Sequence, residues 1–167
     1  MPVPRKADTP TNTGTPYHSP VVAVHGQGLD ILGPCPKSIG GYEWLYVAID
    51  KFMKWLEATA VVKANKNSAF KFVNDLVACF GIPNRIITDN GTQFTSNLFG
   101  DYCDDMGIKL CFASIAHPRS NGQAERANAE IHKGLKNRTY NELKKHGFGW
   151  IDELPAVVWA NHTTPNL

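Results

Sequence analysis

Much that would sort this 167-residue chain quickly is missing from it. No stretch approaches the ~20 apolar residues needed to span a bilayer, so no membrane partner is expected. The opening MPVPRKADTPTNTGTPYHSP is polar and rich in Pro and Thr. Without an apolar core segment it does not read as a secretory signal. Cys35, Cys79, Cys103 and Cys111 are widely spaced and form no Cys-x-x-Cys pair. That argues against a zinc site and a disulfide framework, and a reducing compartment fits. There is no internal repeat, no low-complexity tract and no clear Lys/Arg run for nuclear import. A net charge of +2 is too small to identify a polyanionic partner.

What is present is ordinary in amount and uneven in placement. The apolar fraction of 43% and charged fraction of 19% suit one soluble domain with a proper core. From Arg119 to Lys145 the cations Arg119, Arg126, Lys133, Lys136, Arg138, Lys144 and Lys145 face only Glu125, Glu130 and Glu142. A solvated helix face explains such a run as readily as a nucleic-acid contact does.

Residues 1–20 read as a disordered lead-in or linker, and residues 21–167 as the folded domain. LDILGP (29–34) predicts a short strand stopped by Gly-Pro. Gly40-Gly41 turns the chain into WLYVAID (44–50), and WLEATAVV (55–62) follows as a third strand. Apolar spacing predicts a helix over 65–81, with Asn67 or Ser68 as its cap and Gly81 as its stop. RIIT (85–88), a helix over 97–106 and IKLCFAS (108–114) come next. AHPRSNGQ (116–123) is a loop of helix breakers, Ala124 opens a long helix to about Lys145, and Trp150 to Ala160 is a last helix. Three strands in a meander followed by αβ crossovers imply an α/β fold of RNase H-like type: a five-stranded mixed sheet flanked by helices.

Three carboxylates stand out against that layout. Asp30 lies in the first strand, Asp89 ends the fourth in RIITD, and Glu125 opens the long helix. The first and fourth strands are neighbours in such a sheet, about 4.8 Å apart. Like charges ~4 Å apart repel by ~4 kcal/mol at an effective dielectric of ~20, so converging carboxylates need a cation. Hard oxygen donors without His or Cys suit Mg²⁺ or Mn²⁺. Two such ions ~3.5–4 Å apart can activate an attacking oxygen and stabilise a leaving one in phosphoryl transfer. Singly, each residue has a plainer role: a strand-end Asp caps a turn, and a first-turn Glu serves the helix dipole. Asp50, Asp75, Asp101, Asp104, Asp105, Asp152 and Glu153 are read in that plainer way.

Thirty-five residues, positions 90 to 124, separate Asp89 from Glu125. That spacing resembles the D,D-35-E pattern of retroviral and retrotransposon integrases. The flanks GLDILGP, GIPNRIITDNGTQFTS and HPRSNGQAERANAEI resemble the same family, as do VAIDKFMKW and WIDELPAVVWANHTTP. The likeness runs from about Gly28 to Leu167 and is strongest to integrases of plant Gypsy-type LTR retrotransposons. It implies that Asp30, Asp89 and Glu125 are the catalytic, metal-binding triad, with Mg²⁺ or Mn²⁺, two ions, as cofactor. It implies DNA integration in two stages: water trims the 3′ ends of the element's cDNA, and the freed 3′-hydroxyl attacks a phosphodiester of target DNA.

The resemblance also implies DNA contacts. Asn128, His132 and Lys136 share the Glu125 face of the predicted helix at i+3, i+7 and i+11, and Lys133 lies further round. Asn121, Gly122 and Gln123 belong to a segment like the family's mobile active-site loop, where Gly122 permits positive φ. Asn90 and Gly91 form a tight turn that clears space beside Asp89. The four tryptophans are expected in the core or an interface rather than stacked on bases. Homodimerisation or higher assembly follows from the family, as does nuclear action after assembly in cytoplasmic particles. The family's N-terminal zinc module and C-terminal module are absent from this sequence. AVHGQGLD stands where the family has Ala-Val-Trp-Gly, so His25, Gly26 and Gly28 should loosen the start of the first strand. The alternatives are a silent DNA-binding or oligomerisation module derived from a decayed integrase, and an RNase H-like transposase or nuclease. An RNase H needs a fourth acid, for which Asp50 is the candidate.

Overall fold

Strand length and side-chain alternation set the sheet. The computed structural model describes residues 26–112, 122, 126 and 149–163. β1 (Gln27–Leu32), β2 (Trp44–Asp50), β3 (Leu56–Val61), β4 (Arg85–Thr88) and β5 (Lys109–Phe112) form one sheet in the order β3-β2-β1-β4-β5. β2 runs antiparallel to both β1 and β3, whereas β4 is parallel to both β1 and β5. This is the expected mixed five-stranded sheet of an RNase H-like fold.

β2 shows why the sheet is covered on both faces. Successive side chains of a strand point to opposite faces. Tyr46 and Ala48 join Leu29, Ile86 and Phe94 in one core with Phe72, Val73 and Leu76 of α1 (Lys66–Phe80) and Phe99 and Cys103 of α2 (Asn97–Asp105). Leu45, Val47 and Ile49 face the other way and meet Leu56 with Trp150, Leu154 and Val157 of α3 (Trp150–Thr163). A run that is apolar at nearly every position is what a strand buried on both faces requires.

The helix boundaries follow local chemistry, with one correction. α1 is capped by Asn65, not by Asn67 or Ser68. The Asn65 Oδ1 accepts the Asn67 and Ser68 amides at 3.0 Å, and Ser68 Oγ accepts the Asn65 amide at 3.0 Å. Ser68 is thus the reciprocal partner in a capping box. Gly81 ends the helix as expected, with φ of 91° and its amide on the Val77 carbonyl. Gly40 and Gly41 also have positive φ, 84° and 79°, in a short 3₁₀ turn before β2.

Three other expectations meet the structure here. β1 is paired with β2 along all six of its residues, so the stretch from Gln27 onward is not loosened. Gly26 has a packing reason: a Cβ there would stand 2.7 Å from Arg85 Cγ, whose side chain crosses it. His25 and residues 1–20 lie outside the described residues. Of the tryptophans, Trp150 is core and donates to the Pro36 carbonyl at 2.5 Å. Trp55 is partly exposed and stacks on His162 of α3 at 3.7 Å, while Trp159 is 68% exposed and belongs to no described core. All four cysteines are free, and burial pushes the Cys103 thiol up to about 11.

Candidate metal and nucleic-acid site

Asp30 is carried by β1, whose Leu29 is fully buried and whose six residues are held by β2. Asp89 follows the last residue of β4, where fully buried Ile86 and Thr88 anchor the strand. The parallel pairing aligns Gln27 with Ile86 and Gly28 with Ile87, an offset of 59 residues. Asp30 and Asp89 each lie two residues beyond the last of these pairs. Neighbouring strands lie about 4.8 Å apart, so two acids far apart in sequence are carried by adjacent strands of the sheet, both past the paired residues in the same direction.

Each carboxylate has one oxygen held by the backbone just after it. Asp30 Oδ1 accepts the Ile31 amide at 2.7 Å. Asp89 Oδ1 accepts the Gly91 amide at 3.0 Å, which is the expected tight turn seen at atomic detail. Asp30 is half-buried, whereas Asp89 and Asn90 are exposed. Beneath them, Thr88 Oγ1 is buried and has no hydrogen-bond partner among the described residues.

The chemistry of this donor set fits a hard divalent cation. Asp30 and Asp89 supply carboxylate oxygens, the donors such a cation prefers. Described residues alone hold no cluster of three or more His, Cys, Asp or Glu able to bind a metal. The expected third carboxylate, Glu125, lies outside the described residues. So do Asn121, Gln123, Asn128, His132, Lys133 and Lys136. Gly122 and Arg126 are described, and both have helical backbone. Gly122 therefore stands in helix, where the sequence suggested loop.

The other acids fall where the plainer reading put them. Asp50 is buried and its Oδ1 accepts the Phe52 and Met53 amides at 2.8 and 2.6 Å, capping its own turn. Asp75 pairs with Lys71 one helical turn away at 2.6 Å. Asp101, Asp104 and Asp105 are exposed on α2, and Asp152 and Glu153 sit in the first turn of α3.

A cavity of about 330 Å³ lies elsewhere, lined by Gln27, Ala48, Asp50, Met53, Trp55, Glu57, Leu76 and Phe80. Neither Asp30 nor Asp89 borders it. Sequence reasoning missed Gln93, whose amide packs against Gly91 beside Asp89. Its place two residues after the Asn-Gly pair was the only signal available.

Comparison with known proteins supports the fold and identifies the family. The sequence profile of the integrase core domain matches residues 28–118, more than half of the chain. The Pro-Pol polyprotein of simian foamy virus type 1 is 34% identical over 134 residues, covering 79% of this chain and 11% of that protein. The Gag-Pol polyprotein of avian reticuloendotheliosis virus is 28% identical over 127 residues, 75% of this chain and 11% of that protein. The chain thus spans about a tenth of the length of these relatives. Among solved structures, the HTLV-2 integrase catalytic core domain in complex with magnesium (dimeric form) superposes with a TM-score of 0.68 at 20% identity. The match covers 87% of this chain and 90% of that one. The simian T-cell lymphotropic virus intasome in complex with PP2A regulatory subunit B56 gamma gives a TM-score of 0.71 at 24% identity, over 88% of this chain and 51% of that one.

Proposed function

The chain belongs to the integrase core domain family, and from that premise we propose that it performs DNA integration for an LTR retroelement. The reading is a polynucleotidyl transferase core that processes 3′ ends of element cDNA and joins them to target DNA. One observation supports it: β1 pairs in parallel with β4, and Asp30 and Asp89 each lie two residues past that pairing, with Asp89 exposed. An exposed carboxylate suits a polymer too large for a closed pocket, as a duplex end is.

Asp30 and Asp89, with Glu125 as the third ligand, would hold Mg²⁺ or Mn²⁺. When bound, the cation supplies Lewis-acid charge for in-line phosphoryl displacement. The protein's own part is positional. β1 and β4 fix the two aspartates, and the Ile31 and Gly91 amides orient one oxygen of each. Asn90, exposed beside Asp89, would meet the DNA backbone. Gly122 and the polar positions Asn121, Gln123, Asn128, His132, Lys133 and Lys136 complete the proposed DNA contact. The magnesium named with the HTLV-2 core and the dimeric form of that protein support the cation and a homodimer for this chain as well. A Gypsy-type plant element and a nuclear site of action remain part of the same proposal, resting on the motif flanks.

The silent-module alternative drew its force from a loosened first strand, and the six-residue pairing of β1 with β2 speaks against it. The test is Mn²⁺-dependent nicking and joining of a labelled duplex carrying an element end. Activity in the parent chain that is lost in Asp30→Asn, Asp89→Asn and Glu125→Gln supports the proposal. A parent chain that binds duplex but never cleaves it, at any Mn²⁺ concentration, sinks the enzymatic reading in favour of the silent module.

A further inference from the structure

An Asn-Gly pair after a strand ordinarily needs its glycine for a positive φ. Gly91 does not have one: the positive-φ glycines among the described residues are Gly33, Gly40, Gly41, Gly81 and Gly107. An alanine could adopt its backbone. The reason for glycine must therefore be space, and the neighbours say which space. A Cβ on Gly91 would stand 2.9 Å from Asp89 Oδ1 and 2.7 Å from Gln93 Nε2. Both atoms are far ends of flexible side chains, so the fold can absorb the intrusion. What must move is the Asp89 carboxylate or the Gln93 amide.

The Gly91 peptide is itself held firmly. Its amide donates to Asp89 Oδ1 at 3.0 Å. Its carbonyl accepts the Phe94 amide at 2.9 Å and the Thr95 amide at 3.1 Å. Phe94 is fully buried and packs edge-on against Tyr46 and Phe99, with ring centroids 6.0 and 5.5 Å away. A continuous chain of contacts thus runs from the core through Phe94 and Gly91 to one oxygen of an exposed side chain. Asp89 Oδ2 accepts no hydrogen bond among the described residues. An exposed carboxylate would otherwise sample several rotamers, and a cation would have to pay for freezing one.

We propose that Gly91 is a positioning residue for Asp89: its amide fixes Oδ1, and its missing Cβ leaves the carboxylate room to aim Oδ2 at a divalent cation. The inference rests on the metal-binding reading given above. It also assigns Gln93 as the neighbour that closes the other side of the Gly91 gap.

The experiment is Mn²⁺ titration followed by thermal unfolding, on the parent chain, Gly91→Ala, the double variant Gly91→Ala/Gln93→Ala, and Gly100→Ala. Gly100 is the matched control, because a Cβ there meets nothing within 4 Å. The expected result is a metal-free unfolding temperature in Gly91→Ala close to the parent's. Its Mn²⁺ midpoint should rise by roughly 10- to 100-fold, the usual cost of disturbing a residue that orients a metal ligand. The double variant should keep most of that rise, since the contact with Asp89 Oδ1 remains. Gly100→Ala should keep the parent's midpoint. Three results overturn the inference: an unchanged midpoint in Gly91→Ala, full recovery in the double variant, or a large loss of metal-free stability in Gly91→Ala. If the parent shows no Mn²⁺ response at all, the metal-binding reading and this inference fall together; in the other three cases only the inference falls.

Discussion

Asp50 and Asp89 look alike in the sequence: each closes an apolar strand and leads into a turn. The structure makes them opposites. Asp50 is buried, and one of its oxygens takes two amides of its own turn at 2.8 and 2.6 Å. Asp89 is exposed, and its Oδ1 takes a single amide, from Gly91. A carboxylate committed to two backbone donors in a dry place stabilises the chain. An exposed one held by a single backbone donor leaves an oxygen available to a partner outside the chain. A buried acid satisfied by its own backbone needs no cation, whereas carboxylates brought close on adjacent strands repel unless one arrives.

The contrast can be broken most directly by exchanging the consequences of substitution. Asp89→Asn should lower Mn²⁺-dependent cleavage of a labelled duplex by about two orders of magnitude or more. Its metal-free stability, read by urea unfolding, should stay within about 0.5 kcal/mol of the parent. A stable, fully active Asp89→Asn would remove Asp89 from the site. Asp50→Ala should do the reverse. It strips the acceptor from two amides and should cost about 1–3 kcal/mol in the same unfolding experiment, with the Mn²⁺ midpoint unchanged. A shifted midpoint with intact stability would instead recruit Asp50 as the fourth acid of a nuclease.

Smaller effects sharpen the division between residues that serve the fold and residues that serve the site. Asn65 caps α1 through the Asn67 and Ser68 amides and touches neither Asp30 nor Asp89 in any hydrogen bond described for it. Asn65→Ala should cost about 1 kcal/mol of stability and nothing in metal response. Gly100 lies inside α2 with open space around it. Gly100→Ala should stabilise the fold by up to ~1 kcal/mol, measured as a raised urea midpoint, because glycine at a helix interior forfeits that much against alanine. Gly91 and Gly100 would then be two glycines with opposite reasons: one keeps space beside a functional oxygen, the other only weakens a helix.

Much of the architecture was legible because it is written in local pattern. β2 and β4 begin and end where their apolar runs do, and α2 spans its predicted residues to within one position. Gly81 stops α1 as its conformational freedom suggested. Errors arose where two polar residues compete for one role. Asn65, Asn67 and Ser68 can each cap a helix, and only the closed geometry shows Asn65 as cap with Ser68 answering it. Gly122 was misread for a similar reason: glycine tolerates loop and helix alike, and it adopts helix here.

The sequence by itself determined the order of strands and helices, the carboxylates in the first strand and at the end of the fourth, and the spacing by which the family can be recognised. Hydrophobic period and turn chemistry act over a few residues, and such signals survive in one dimension. Only the tertiary structure decided which aspartate is structural and which is presented. That choice depends on a parallel pairing between segments 59 positions apart and on how many backbone donors reach each oxygen. Ladder hydrogen bonds are the same for every residue, so register is set by packing of the two sheet faces against α1, α2 and α3. It also decided why position 91 is glycine. The reason is a 2.9 Å clearance to a carboxylate oxygen, a distance that exists only once Phe94 is buried and the turn is closed over it.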